Sequence, residues 1–320
     1  MRSAIDLPAP PGPTRPSACP RATVKLTSAS TGRPLEFLLS PSTSIKRQRP
    51  ILGSAGCYNP LVASAIIPIG DELLAGFTLD TNSHWLAEQL RLLGFPVKRI
   101  TTVRDRQEEI VEQIRRDLRD PEIEDVFCSG GLGPTPDDRT FEAVAAALGR
   151  KMTTWPPVLE RIERRVRRMH DAGLVDSAQV TEGNRRMAHI PADPDHVFRN
   201  RRGMAPGLMY RADGRRLFIL PGVPTELRGI FAEELAPEFL TGRTAGVVHE
   251  LRFVFAVEAR FYPVMRELET SHPDVSVGSY PNFQTRELVI RFTGQDERRV
   301  LEAMEVVRQR VAPMGLQPTV

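Results

Sequence analysis

The chain has 320 residues, 41% hydrophobic and 26% charged, a length suited to about two globular domains, and no apolar run approaches the roughly 18 residues needed to cross a membrane. Its three cysteines (Cys19, Cys57, Cys128) are scattered and odd in number, and its six histidines never fall three or four apart, so neither a disulfide framework nor a zinc spacing is present and a reducing cytoplasm is the simplest setting. Eight Lys/Arg face two acids in residues 1–60, so that tail carries +6 and the other 260 residues −3 of the net +3, which leaves the folded part without an electrostatic footprint for nucleic acid.

Residues 1–62 hold ten of the 28 prolines, among serines and threonines, and bury too little to offset their ordering entropy. They read as a disordered tail or an over-extended start. An organellar transit peptide is the alternative, and the apolar segment of a secretion signal is missing. A folded pattern begins at Ala63. Ala65 to Ile69 reads as a buried parallel strand; Leu86, Leu90 and Leu93 mark a helix after Asp80; Val97 to Val103 reads as a second strand. Asp105, with Glu108 three residues on, reads as the cap of a helix whose face is Ile110, Ile114 and Leu118. Val126 to Cys128 is a third strand, followed by Ser129 to Asp138, SGGLGPTPDD, and the helical pattern Phe141, Val144, Ala145, Leu148.

That glycine loop carries the chemistry. Gly130, Gly131 and Gly133 allow the backbone to turn its N–H groups inward at a helix N-terminus, which makes a phosphate cradle; Thr135 is assigned to the same role. Asp137 and Asp138 at the loop's exit would repel a phosphate unless a divalent cation lay between them, so both are assigned as metal ligands. A plain tight turn with Asp138 capping the helix is the bland alternative. The loop is neither GxGxxG nor GxxxxGK[ST].

Residues 156–190 read as helix, with Val158, Ile162, Val166 and Met169 on one face and five arginines around the rest, the usual form of a solvated face. Leu208 to Arg211 and Leu217 to Leu220 form a hairpin across Asp213-Gly214. It leads into Leu220-Pro221-Gly222-Val223-Pro224-Thr225-Glu226-Leu227, a rigid turn that either walls a pocket or is purely structural. From Val247 a strand, a helix, a strand pair and a closing helix make a βαββα unit. The expected fold class is α/β: a three-layer domain with a parallel sheet over 63–242, then a small α+β domain over 247–320. In such sheets ligands bind beyond the carboxyl ends of the strands, where Asp71-Glu72 with Asn82, Asp105, and Asp137-Asp138 fall.

With IGDELLAG, DTNS, VRD, SGGLGPTPDDRTFEAV, APG and LPGVPTEL in this order, residues 63–242 resemble the molybdopterin-binding-like domain of the CinA (competence/damage-inducible protein A) family. They resemble the MoaB/MogA molybdopterin proteins more weakly, through Asp138, Thr140 and Glu142-Ala143. The nicotinamide-nucleotide amidohydrolase domain of full-length CinA proteins is not recognised in the chain. The resemblance implies a metal-dependent pyrophosphohydrolase of ADP-ribose or a related dinucleotide such as FAD. Its cofactor would be a divalent cation (Mg, Mn or Co), with molybdopterin as another ligand. In that reading Asp138 with Asp105 or Glu72 is catalytic, while Asn82, Pro221, Gly222, Pro224 and Glu226 shape the substrate side. Partners would be a small nucleotide or pterin and further copies of the chain, with no nucleic acid and no membrane. Adenylylation of molybdopterin and a non-catalytic nucleotide-binding module are the alternatives.

Overall fold

The computed structural model describes residues 62–319; the expectation for the N-terminal tail lies outside the described residues. The first part runs β1 (Ala63–Pro68), a helical turn α1 (Asp71–Leu74), α2 (Thr81–Leu92), β2 (Val97–Ile100), α3 (Gln107–Arg119), β3 (Ile123–Ser129), α4 (Thr140–Leu148) and β4 (Met152–Thr154). It continues through α5 (Pro156–Asp171), α6 (Glu182–Arg186), β5 (His189–Pro191), β6 (His196–Phe198), β7 (Gly207–Ala212), β8 (Arg215–Leu220), α7 (Pro224–Ile230), a wider helical turn at Phe231–Leu235, and α8 (Ala236–Phe239).

Among the described residues the main sheet has the order β2-β1-β3-β8-β7-β6. The first four strands are parallel, and the β7–β8 hairpin adds the antiparallel edge. Asp213 (φ 52°) and Gly214 (φ 77°) make the tight turn that the Asp-Gly pair predicts. Strands buried on both faces are apolar along most of their length. Ile66, Phe127, Phe218 and Leu220 face Leu86 and Leu90 of α2 and Leu227 of α7. Ala65, Ile67, Val126, Cys128 and Ile219 face Ile110 and Ile114 of α3 with α4 and α5. Phe127 and Phe218 are paired across the strands and stack with centroids 4.8 Å apart; each such ring contributes about 1.5–3 kcal/mol by leaving water.

Two elements differ from the sequence reading. The helix expected over 156–190 ends at Asp171, Gly173 takes φ 69°, and the chain returns through α6 to pair β5 with β4; three-residue strands carry too little periodicity to be seen. Asp105 does not cap α3, whose cap position is Arg106 without a side-chain bond. Its carboxylate accepts the Asp71 N–H instead, at 2.9 Å. A distant loop outbids the local capping box.

The C-terminal part is the βαββα unit: β9 (Val247–Val254), α9 (Tyr262–Ser271), β10 (Ser276–Asn282), β11 (Glu287–Gly294) and α10 (Glu297–Val311). Its antiparallel sheet, ordered β10-β11-β9, has a core of its own with Phe253, Phe261, Ile290, Phe292, Val300 and Val307.

Candidate functional site

The chain leaves β1 toward β2 on one side and returns from α3 into β3 on the other, so the loops after β1 and β3 part at the carboxyl edge of the sheet and open a crevice. The glycine loop lies there. Gly130 (φ 109°) and Gly131 (φ 64°) hold left-handed backbone that strains any side chain. A Cβ on Gly130 would stand 2.2 Å from the Ile69 carbonyl, and one on Gly131 2.3 Å from Thr140 Oγ1. The Gly130 N–H donates to the Leu220 carbonyl (3.1 Å), and the buried Thr140 hydroxyl donates to the Gly130 carbonyl (2.8 Å). Asp138 accepts the Thr135 N–H (2.9 Å) and hydroxyl (2.5 Å), which closes the loop on itself. Arg186 clasps it from outside, donating to the Thr135 and Asp138 carbonyls at 2.8 and 2.9 Å and pairing with Glu142 at 3.0 Å.

A cavity of about 320 Å³ brings together Glu72, Asn82, Asp105, Gly130, Gly131, Asp137, Asp138, Gly222 and Pro224. Burial pushes the Asp105 carboxyl above the usual carboxylate value despite the Asp71 N–H, and the charges of Glu72, Asp71 and Asp137 push the same way. Asp137 goes the opposite way, held low by hydrogen bonding at the loop's exit and by the nearby Arg139 and Arg186 guanidinium groups. Asn82 donates its amide to the Gly222 carbonyl at 2.7 Å, tying α2 to the turn before α7.

Gly133, Pro221 and Glu226 line a second, more apolar cavity of about 500 Å³, with Met169, Met187 and Met204 and the two arginines Arg165 and Arg202. Gly131, Asp138 and Gly222 line both cavities, so the glycine loop is the wall they share. Glu226 is pinned: the Asn200 amide donates to it, and Gly203 packs so close that a Cβ there would overlap the carboxylate. Thr135 lines neither cavity; its donors serve Asp138.

Asn200 is the residue the sequence reading passed over. It is 3% exposed, accepts the Arg202 and Gly203 N–H groups at 3.0 and 2.7 Å, and donates to the Ala205 carbonyl at 2.8 Å, shaping the loop that walls the second cavity. The signal for it was an Asn two and three residues before the turn positions of an Arg-Arg-Gly run. Arg165 belonged to the run read as a solvated face, yet it donates to the Arg202 carbonyl at 2.8 Å and lines the cavity.

Residues 65–241 match the family described as "Probable molybdopterin binding domain". The chain belongs to that family. Residues 248–319 match "FAD synthase, middle domain". A protein of Pyrococcus horikoshii is 38% identical over 65% of this chain and 80% of its own length, and one of Thermococcus kodakarensis 34% identical over 77% and 96%. A CinA-like protein of Thermotoga neapolitana is 35% identical over 68% of this chain and 50% of its own, so the CinA resemblance read from the six motifs holds. A solved structure of the protein CinA from Thermoplasma acidophilum is 30% identical, covers 56% of this chain and 99% of that one, and has a TM-score of 0.49. Among the described residues no helix is long and apolar enough to cross a membrane.

Proposed function

We propose that the crevice hydrolyses the diphosphate bond of a dinucleotide of the ADP-ribose or FAD type. The observation that carries this reading is the glycine loop shared by two unlike cavities, one acidic and one apolar with two arginines. A diphosphate on that loop would send one half of the molecule to each side. The Gly131 and Gly133 N–H groups have no protein partner among the described residues, leaving them for phosphate oxygens. Methionine-lined walls suit a flat ring, and the match of residues 248–319 to a domain of FAD synthase keeps FAD among the substrates.

The acidic cavity fits a divalent cation in the chemistry of its donors, since Glu72, Asp105 and Asp137 offer hard carboxylate oxygens. Among the described residues no three such side chains converge closely enough to hold one unaided, so the substrate phosphate would complete the coordination, the common arrangement for Mg²⁺. A bound cation there would offset charge on the phosphate oxygens and make water more acidic. Asp105, buried and linked to the Asp71 N–H, is placed to orient that water or take its proton. Asp138 acts as a positioning residue, because its carboxylate shapes the loop. Asn82 keeps the Gly222 turn against the loop.

The family match favours one second reading, adenylyl transfer to molybdopterin in the same crevice. The test is incubation of the full chain with ADP-ribose, FAD, NAD and ATP, with Mg²⁺, Mn²⁺ or Co²⁺ or with chelator. Cation-dependent AMP release from one dinucleotide supports hydrolysis, whereas no turnover of any dinucleotide, with AMP transferred from ATP to molybdopterin, rejects it. Self-association belongs to the same proposal and is read by light scattering.

A further inference from the structure

The opposite edge of the sheet carries a second polar pocket, away from the crevice. The last turn of α3, the end of α4 and the β7–β8 hairpin enclose about 330 Å³ at the edge where β3 and β8 begin. Arg115, Arg119, Arg150 and Arg211 line it, with Asp213 as the one carboxylate among its lining residues. None of the four makes an ion pair with a described residue, although Arg99 and Arg216, elsewhere in the same domain, do.

Part of this charge has a structural explanation. Arg115 donates to the Ala146 and Ala147 carbonyls (2.7 and 3.3 Å) at the end of α4. Arg150 donates to the Ala192 carbonyl at 3.0 Å and lies 4.9 Å over the Tyr210 ring. Those contacts fix the two groups in place and leave their charge unneutralised. Arg119 and the Arg211 side chain have no hydrogen-bond partner among the described residues; the Asp195 carboxylate accepts the Arg211 backbone N–H at 2.7 Å. Four guanidinium charges stand against Asp213 and about half a negative charge at each of the two helix ends, which leaves roughly two positive charges facing the pocket. Two pre-positioned forks and two free ones are the geometry that phosphate oxygens take.

We propose that this pocket binds a compact di- or triphosphate group, free or carried on a nucleotide, independently of the crevice. The probe is inorganic pyrophosphate, titrated calorimetrically into the full chain, with ADP as a second arm to show whether a nucleoside adds affinity. Three proteins are compared: the unaltered chain, Arg119→Ala with Arg211→Ala, and Arg165→Ala with Arg202→Ala as the control for the crevice. Arg119 and Arg211 are exposed and make no side-chain contacts that the fold needs, and circular dichroism verifies the variants. The proposal expects pyrophosphate affinity to fall about ten-fold or more in the first variant, as for the loss of one strong contact, and to persist in the second. Binding lost in the second variant alone, unchanged in the first, or not measurable at millimolar pyrophosphate in the unaltered chain overturns it.

Discussion

Gly131→Ala tests whether the glycine loop is as constrained as its contacts imply. The substitution puts a side chain on backbone at φ 64°, a cost of about 1–2 kcal/mol. Its Cβ would lie 2.3 Å from Thr140 Oγ1 and 3.2 Å from Asp105 Oδ1. The Thr140 hydroxyl cannot withdraw cheaply, because it is fully buried and donates to the Gly130 carbonyl at 2.8 Å. Breaking that bond while its partners stay dry adds about 1–3 kcal/mol. The expected loss in urea unfolding is therefore about 2–5 kcal/mol, with the proposed dinucleotide hydrolysis, where kcat falls by more than KM rises, as the second readout. Thr140→Ala removes the clashing oxygen, so in that background Gly131→Ala should cost only the strain of its φ and the lesser crowding against Asp105 Oδ1 at 3.2 Å. A loss below about 0.5 kcal/mol in the unaltered background, the range of an ordinary surface change, would show that the loop is not constrained at Gly131.

Glu72→Gln removes one of the charges that raise Asp105, so in chelator-treated protein the Asp105 carboxyl should titrate at lower pH in the variant, as NMR would read, and an unmoved titration would show that Glu72 does not act on it. Asp105→Asn should stabilise the fold at neutral pH, with the gain shrinking as pH falls toward the ordinary carboxylate value, since a raised acid makes stability fall as pH rises through that window; thermal melts across pH read this directly. Asn200→Ala strands the Glu226 carboxylate and the Arg202 and Gly203 N–H groups, so it should cost about 2–4 kcal/mol and weaken dinucleotide binding, as calorimetry would report. Asp125→Ala leaves Arg216, only 14% exposed, without the carboxylate it grips at 2.6 and 2.7 Å, at a cost of about 3–5 kcal/mol in urea unfolding with the crevice geometry unchanged.

The parallel sheet and the crevice at its edge were legible because both follow from local patterns. Short apolar runs such as Ala65 to Ile69 and Val126 to Cys128 announce buried strands, and three glycines between a strand and a helix announce a cradle. The residues drawn into one cavity, Glu72, Asn82, Asp105 and Asp137 among them, lie at strand ends where parallel topology must bring them together. What escaped depends on contacts across long sequence distances. Asp105 has a capping-box neighbour at Glu108, but its partner is the Asp71 N–H, 34 residues away. Arg186 grips the carbonyls of Thr135 and Asp138, 51 and 48 residues back in the chain. Glu226 falls in the second cavity because Asn200 and Gly203 hold it there, and no local pattern encodes that closure.

The most direct measurement is the rate of AMP release from the preferred dinucleotide as Mn²⁺ is titrated, for the unaltered chain and for Asp105→Asn. A cation-assisted hydrolase should show saturable activation by the cation in the unaltered chain and a loss of about 10²-fold or more in kcat/KM for the variant, which keeps the fold. Release of AMP at the same rate without Mn²⁺, or undiminished in Asp105→Asn, would contradict it.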